Sequence, residues 1–499
     1  MIVRYFISID ARWEAHAEFA LQLLLEGIGV KGKRVRHIDS ADLYYSADKL
    51  QHQSLVSPIW IRATEVSSWD YASPGLVWIN EIPVLYQGPK PDELGTHGAL
   101  AADLVYSTYA VVTGVLERAE ERDAWGVPVA LGGFLKTSAL LETPVIALYC
   151  KRLTALLADL FESRDKTPLQ VTPLWPNEKK CAAVISHDVD GPFYRPALGF
   201  HAKHLKQYLK RRDLNGLKSG SRSLMKTMAL TLLGRIPAAT EDPNFGFEAW
   251  MRAEGQMSAT SCFYVAVTSS ADDEGHLVDV SYDFRHPAMV DALNLAISKG
   301  WEIGLHASVN AQHSARQFQK EKALLESVLN GYKVRGLRHH YWAMNCENPE
   351  GTLWKQADAG FEYDSSLGMN DSPGYRRGMV WPYNPFDRDR KTLTSVLEIP
   401  PTLMDGGVYY HNVQEEEGKA LVRAHLKRTF QAGGAAVLDW HVEQMNPARL
   451  RGAGPALMSV LTELRDDQGV FWASPAQLAD WWIQRRHQME AQVQEQAAD

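Results

Sequence analysis

An apolar run, Ala182-Ala183-Val184-Ile185-Ser186-His187-Asp188-Val189-Asp190, ends in two carboxylates and the punctuation Gly191-Pro192. Small and β-branched residues in an unbroken run predict a buried parallel strand, and Gly-Pro stops it. Residues two apart on a strand share a face, so Asp188 and Asp190 project together from its C-terminal end. His187, between them, points the other way, although twist at a strand end can relax this. Two like charges so close repel unless a cation or a proton joins them. Metal binding or general acid–base chemistry would use such a pair. The plain alternative is strand-end aspartates that cap a loop.

Three further stretches carry polar residues of the kind a hydrolytic site needs: Gly304-Leu305-His306-Ala307-Ser308-Val309-Asn310, Leu337-Arg338-His339-His340-Tyr341-Trp342, and Val437-Leu438-Asp439-Trp440-His441. The i, i+4 spacing of His306 and Asn310 lets both converge from one side of a turn. A lone histidine on a strand is usually structural, but polar residues at one end of several strands of one sheet act together.

The elements that must position them alternate. Helical patterns over Phe247 to Met257, Ala288 to Lys299 and Ser314 to Leu329 separate strand-like runs at Ala259 to Val267, Trp301 to His306 and Gly336 to Tyr341. Further strands are expected at Val396 to Ile399 and Ala435 to Asp439. This pattern predicts repeated β-α units around a parallel sheet.

Residues from about 180 to 480 resemble the polysaccharide deacetylase family, the NodB-homology or carbohydrate esterase family 4. His187-Asp188-Val189-Asp190-Gly191 is similar to its first motif in an Asp-x-Asp variant. Gly304 to Ser308 resembles the second motif, Arg338 to Tyr341 the third, and Phe361 to Ser366 a Tyr-Asp-Ser-Ser segment, with Leu397-Glu398-Ile399-Pro400 as the strand after it. The resemblance implies a distorted (β/α) barrel and metal-assisted hydrolysis of an N- or O-acyl group on a sugar. It implies Asp190 and His306 as metal ligands, with Asn310 where a second ligand histidine would stand, and a divalent ion, zinc by preference. It implies Asp188 as the base for the attacking water and Arg338 as its orienting partner. The backbone N–H of Tyr341 would hold the oxyanion, and His441 would protonate the leaving group. Trp342 and Trp440 would stack on a sugar face or pack the core.

Two departures bear on the site. An amide oxygen is a weaker, uncharged ligand, so Asn310 weakens a zinc site, and His313, His187, His339 or His340 would have to substitute. His340 also replaces the proline of the third motif, which alters the backbone carrying Tyr341. Ala307 replaces a hydroxyl of the second motif.

Ahead of the barrel, residues 1–167 predict a smaller α/β domain whose role the sequence does not state. Strand-like runs at Tyr5 to Ile9, Val77 to Ile79 and Val84 to Tyr86 mix with helical patterns at Glu14 to Gly27, Thr96 to Ala119, Gly132 to Leu140 and Pro144 to Phe161. Glu117, Glu120, Glu121 and Asp123 read as a solvated helix end. A proline-punctuated joint, 168–180, links this domain to a barrel spanning 181–484, and a polar tail, 485–499, is expected to fray. Between 201 and 236 lies a basic stretch, Lys203 to Arg235, with an apolar Leu/Met stripe. It would either pack that stripe on the core or lie on an anionic membrane or substrate.

At 499 residues the chain exceeds one ordinary core, so two domains are expected. A net charge of −8 argues against nucleic acid as the main partner. Cys150, Cys181, Cys262 and Cys346 are scattered without a CxxC pair and suit free thiols of a reducing compartment. No signal-peptide pattern or membrane-length apolar run is present, which points to the cytoplasm. Three functions follow. One is a metal-dependent deacylase of a sugar such as a polysaccharide precursor, either free or lipid- or nucleotide-linked. Another is a non-catalytic carbohydrate-binding or assembly protein with a degenerate site. A third, hydrolysis of ureides or small cyclic amides, uses the same scaffold.

Overall fold

The computed structural model describes residues 1–53, 56–64, 66–95, 98–193, 242–268, 279–280, 282–409, 413–450, 452–464 and 469–498. Seven positions between 217 and 228 are also described, and of 492–498 only the backbone. Those seven are helical, and the remainder of the basic stretch 201–236 lies outside the described residues.

The first α/β unit is a parallel sheet of β1 (Ile2–Ser8), β2 (Lys31–Arg34), β3 (Leu43–Ser46), β4 (Ile59–Arg62) and a short edge strand, in the order β2-β1-β3-β4-edge. Residues Gly75–Ile79 (β5) and Ile82–Tyr86 (β6) form a separate antiparallel hairpin, and Ala99–Leu100 (β7) is that edge strand. Helices Glu14–Ile28, Leu104–Val112 and Val145–Asp165 pack beside the sheet. The single helix expected over Thr96 to Ala119 is broken for local reasons. Asp103 accepts from the backbone N–H of Tyr106 and starts the helix there, and Gly114 ends it at φ +68°, which a side chain would resist. Within the expected helix Gly132 to Leu140, only Phe134–Thr137 is helical.

The second unit is built on β8 (Cys181–Val189), β9 (Cys262–Val265), β10 (Glu302–Ala307), β11 (Gly336–His339) and β12 (Tyr363–Asp364), all paired in parallel. After a small hairpin of β13 (Phe386–Asp387) and β14 (Thr392–Leu393) come β15 (Leu397–Glu398), β16 (Leu403–Met404), β17 (Ala435–Asp439) and β18 (Val470–Ala473). One stretch closes the ring. Its β15 end pairs with β12 and its β16 end with β17, with Pro400-Pro401 between them, where a proline cannot donate to either neighbour. β17 then pairs with β8, so the parallel strands form a distorted barrel.

Glycines make room inside it. A Cβ on Gly336 would stand 1.8 Å from the Tyr363 ring, and one on Gly304 would stand 2.5 Å from the Tyr264 ring. Connecting helices Phe247–Gly255, Pro287–Ser298, Ala315–Glu326, Pro349–Asp358 and Glu415–Gln431 lie between successive strands, as the alternation predicts.

The two units share one apolar core, running from Val3, Tyr5 and Leu24 through Tyr149 to Val184, Trp381 and Trp482. The joint is packed rather than loose: Trp175 is buried and its indole N–H donates to the Gly433 carbonyl at 2.7 Å. The polar tail expected from 485 begins within a helix. Helix Pro475–Ala498 runs straight through 485, Arg485 is buried against the carbonyls of Pro173 and Glu26, and Arg486 pairs with Glu26. Among the described residues no helix is long and apolar enough to cross a membrane.

Candidate active site and metal centre

Because the barrel strands are parallel, their C-terminal ends meet at one rim. Asp190 follows β8, His306 lies near the end of β10, His340 follows β11 and His441 follows β17. Around the Asp190 carboxylate stand three imidazole Nε2 atoms, those of His306 at 3.2 Å, His340 at 3.3 Å and His441 at 3.3 Å. One donor atom each from Asp190, His306 and His340 lies within 4.8 Å of the other two.

Each imidazole is fixed by its other nitrogen. His306 Nδ1 bonds the Arg338 carbonyl at 3.0 Å, His340 Nδ1 bonds Asp279 at 2.9 Å, and His441 Nδ1 bonds Asp405 at 3.0 Å. Such partners set the tautomer and leave Nε2 facing the site, as in metal-binding histidines. Apart from each other, the buried atoms Asp190 Oδ1 and His306 Nε2 have no hydrogen-bond partner. One carboxylate with two imidazoles is a donor set that suits zinc, and it leaves coordination positions open.

Asp188 stands beside the cluster, its Oδ2 3.7 Å from His306 Nε2. Arg338 Nη1 donates to it at 3.0 Å and sits 2.9 Å from Asp439, while the rest of the guanidinium bonds the carbonyl and hydroxyl of Ser365 and lies over the Tyr264 ring. Burial pushes the Asp188 carboxyl up, but His306, Arg338 and His441 outweigh it and hold the acid below its usual range. The same contest holds Asp190 well below that range, with His340 foremost among its neighbours. Burial opposes charge on His441, yet Asp405 and Asp190 raise it well above the ordinary histidine value. Burial pushes Asp439 well up despite Arg338. The rim is open to water at Asp190 and His441, whose side chains are 22% and 20% exposed.

The structure brings together Asp188, Asp190, His306, Arg338 and His441, with Tyr341 on the turn beside His340. The i, i+4 pair His306 and Asn310 falls across the end of β10 rather than on one helical turn. The chain leaves β10 through a 3-10 turn, Val309–His313, on which Asn310 and His313 are exposed. His340 stands in the cluster instead. His187 faces away, as alternation predicts, bonding the Trp440 carbonyl and Glu254. His339 is buried beside Gln356, and burial pushes it down to about 3.

Trp342 and Trp440 do not present faces for a sugar. Both are buried, Trp342 against Gly368 and Trp440 with its N–H on the Ala453 carbonyl. Sequence reasoning missed Asp279 and Asp405. Asp405 directly follows β16, so its place at a strand end was a usable signal, whereas Asp279 lies in no recognisable pattern.

No family model matches this chain, and no curated protein matches it. Among solved structures, it is similar to a polysaccharide deacetylase of Mycobacterium smegmatis at 18% identity and a TM-score of 0.39, over 62% of this chain and 93% of that one. A polysaccharide deacetylase of Pseudomonas aeruginosa matches at 12% identity and 0.40, over 63% and 95%. An allantoinase matches at 12% and 0.39, over 63% and 94%. Polysaccharide deacetylases are thus among the structures it resembles, at TM-scores low enough that function has to be read from the side chains themselves.

Proposed function

We propose that this protein is a metal-dependent hydrolase that removes an acyl group, acetyl by preference, from the nitrogen or oxygen of a sugar. The observation that supports it is the pairing of two functions at one rim. A carboxylate–imidazole cluster of Asp190, His306 and His340 would hold zinc, and beside it an acid, Asp188, is kept charged by Arg338. A divalent ion bound there lowers the pKa of a water ligand and polarises an acyl oxygen.

The chain's own groups divide the rest. Asp188, anionic and anchored, takes the proton of the attacking water. Arg338 keeps that carboxylate in place and charged. His441, held in its protonated form by Asp405, gives a proton to the departing amine or alkoxide. The backbone N–H of Tyr341 receives the oxyanion.

The presence of His340 where Asn310 falls short supports catalysis over a degenerate, purely binding role. A lipid- or nucleotide-linked sugar would suit the basic stretch 201–236, and four scattered cysteines without a CxxC pair suit the cytoplasm. Purified protein should hydrolyse small N-acetylated sugars, lose activity in chelator or as Asp188→Ala, and in the first case regain it with zinc. Bound metal with turnover only of ureides or cyclic amides would redirect the reading to those substrates. No bound metal and no turnover on any panel would leave the assembly role.

A further inference from the structure

Tyr341 and Trp342 are consecutive bulky residues in the left-handed region, at φ 55° and 53°, which such side chains adopt only when their surroundings hold them there. Tyr341 belongs to the turn that carries His340, and it is 37% exposed. Its ring stacks on His340 at 3.8 Å and on Trp125 at 4.1 Å, with the latter pair 2° from parallel. Trp125 comes from the first α/β unit. Asn370 Nδ2 donates both to the Tyr341 carbonyl at 3.1 Å and to Asp123 at 2.8 Å.

The segment bearing Asp123 and Trp125 is itself fastened to the barrel. Asp123 accepts from the backbone N–H of Trp125 and Val127, so the loop is shaped from within. Gly126, at φ +81°, passes so close that a Cβ would lie 3.0 Å from that of Cys346. Asp371 accepts from the N–H groups of Ala130 and Leu131, and buried Glu117 pairs with Arg376 and Arg377.

We infer that this segment, residues 117–131, is a positioning element of the active site: Trp125 and Asp123, the latter through Asn370, clamp the Tyr341 turn. The inference rests on the proposed function, because the turn would supply one metal ligand, His340, and the oxyanion amide of Tyr341. It assigns the first unit a part in the reaction. With no proline at position 340, ring stacking and the Asn370 bridge take over the work of holding the turn.

The test uses full-length Trp125→Ala, Trp125→Phe and Asn370→Ala. Amide hydrogen exchange across 338–345 in metal-free protein should quicken several-fold in Trp125→Ala and Asn370→Ala and return to the wild-type rate in Trp125→Phe. In hydrolysis of an N-acetylated sugar, kcat of Trp125→Ala should fall about tenfold or more with KM nearly unchanged, and recover in Trp125→Phe. Unchanged exchange overturns the clamp even if kcat falls, since Trp125 would then act on substrate directly. Faster exchange with unchanged kcat overturns its part in the reaction. If wild-type protein hydrolyses no acyl sugar, the proposed function fails, and the exchange rates alone decide whether the clamp exists.

Discussion

Three imidazoles surround one carboxylate at the barrel rim, and each is steered by a different partner: a backbone carbonyl for His306, Asp279 for His340 and Asp405 for His441. Fixed Nε2 atoms bind metal with less reorganisation than free ones, so the partners matter almost as much as the ligands. His340→Ala should therefore abolish tight zinc binding, Asp279→Ala should weaken it about 10- to 100-fold, and Asn310→Ala should leave it unchanged. Chelator competition on purified protein checks all three. Loss of zinc in Asn310→Ala would return that residue to the site. Asp188→Asn should keep its metal but lose about 10²- to 10⁴-fold in kcat, the share a positioned base supplies. Asp188, Asp190, His306, Arg338 and His441 were legible because each stands at a strand end within a recognisable motif. His340 was legible only as one of four substitutes, since it stands on the turn leaving β11 and is fixed by Asp279, and no sequence period encodes either.

Individual elements carry charges whose cost depends on what packs over them. Glu117 reads as part of a solvated acidic helix end, yet it is buried between Arg376 and Arg377, and Arg377 also reaches Glu350. Its partners lie some 260 positions further along the chain, too distant for local pattern to reveal. Glu117→Gln leaves two buried guanidiniums short of charge and should cost about 3–5 kcal/mol, read as a lower urea midpoint. On helix Glu415–Gln431, His425 is buried, stacks on Tyr375, and has no partner for Nε2. Burial, with a smaller push from Arg428, lowers it to about 3 from an ordinary 6.5. The unfolded chain then takes up the proton first, so stability is full above pH 6.5 and falls as pH drops through that value toward 3. By pH 5 this one group should remove about 2 kcal/mol. Equilibrium unfolding of His425→Leu against pH should show a correspondingly shallower acid slope, and an equal slope would refute the assignment.

At the scale of the molecule, the two α/β units share a core, and the terminal helix binds back across both through Arg485 and Arg486. A core cut in half exposes apolar surface on each piece. The full chain should accordingly unfold in one calorimetric transition, and a fragment of 168–499 alone should show no cooperative transition. Two separated transitions would mean that the shared core does not couple the units. By itself the sequence determined the parallel α/β alternation and which polar side chains end its strands, because strand alternation and helical period are local and need no partner. Only the tertiary structure decided which of those side chains meet. Closure of the ring through Leu397–Glu398 and Leu403–Met404 sets strand neighbours, and the turn leaving β11 brings His340 in while Asn310 stays in solvent. Contacts of that kind depend on residues hundreds of positions apart, and only packing brings them into register.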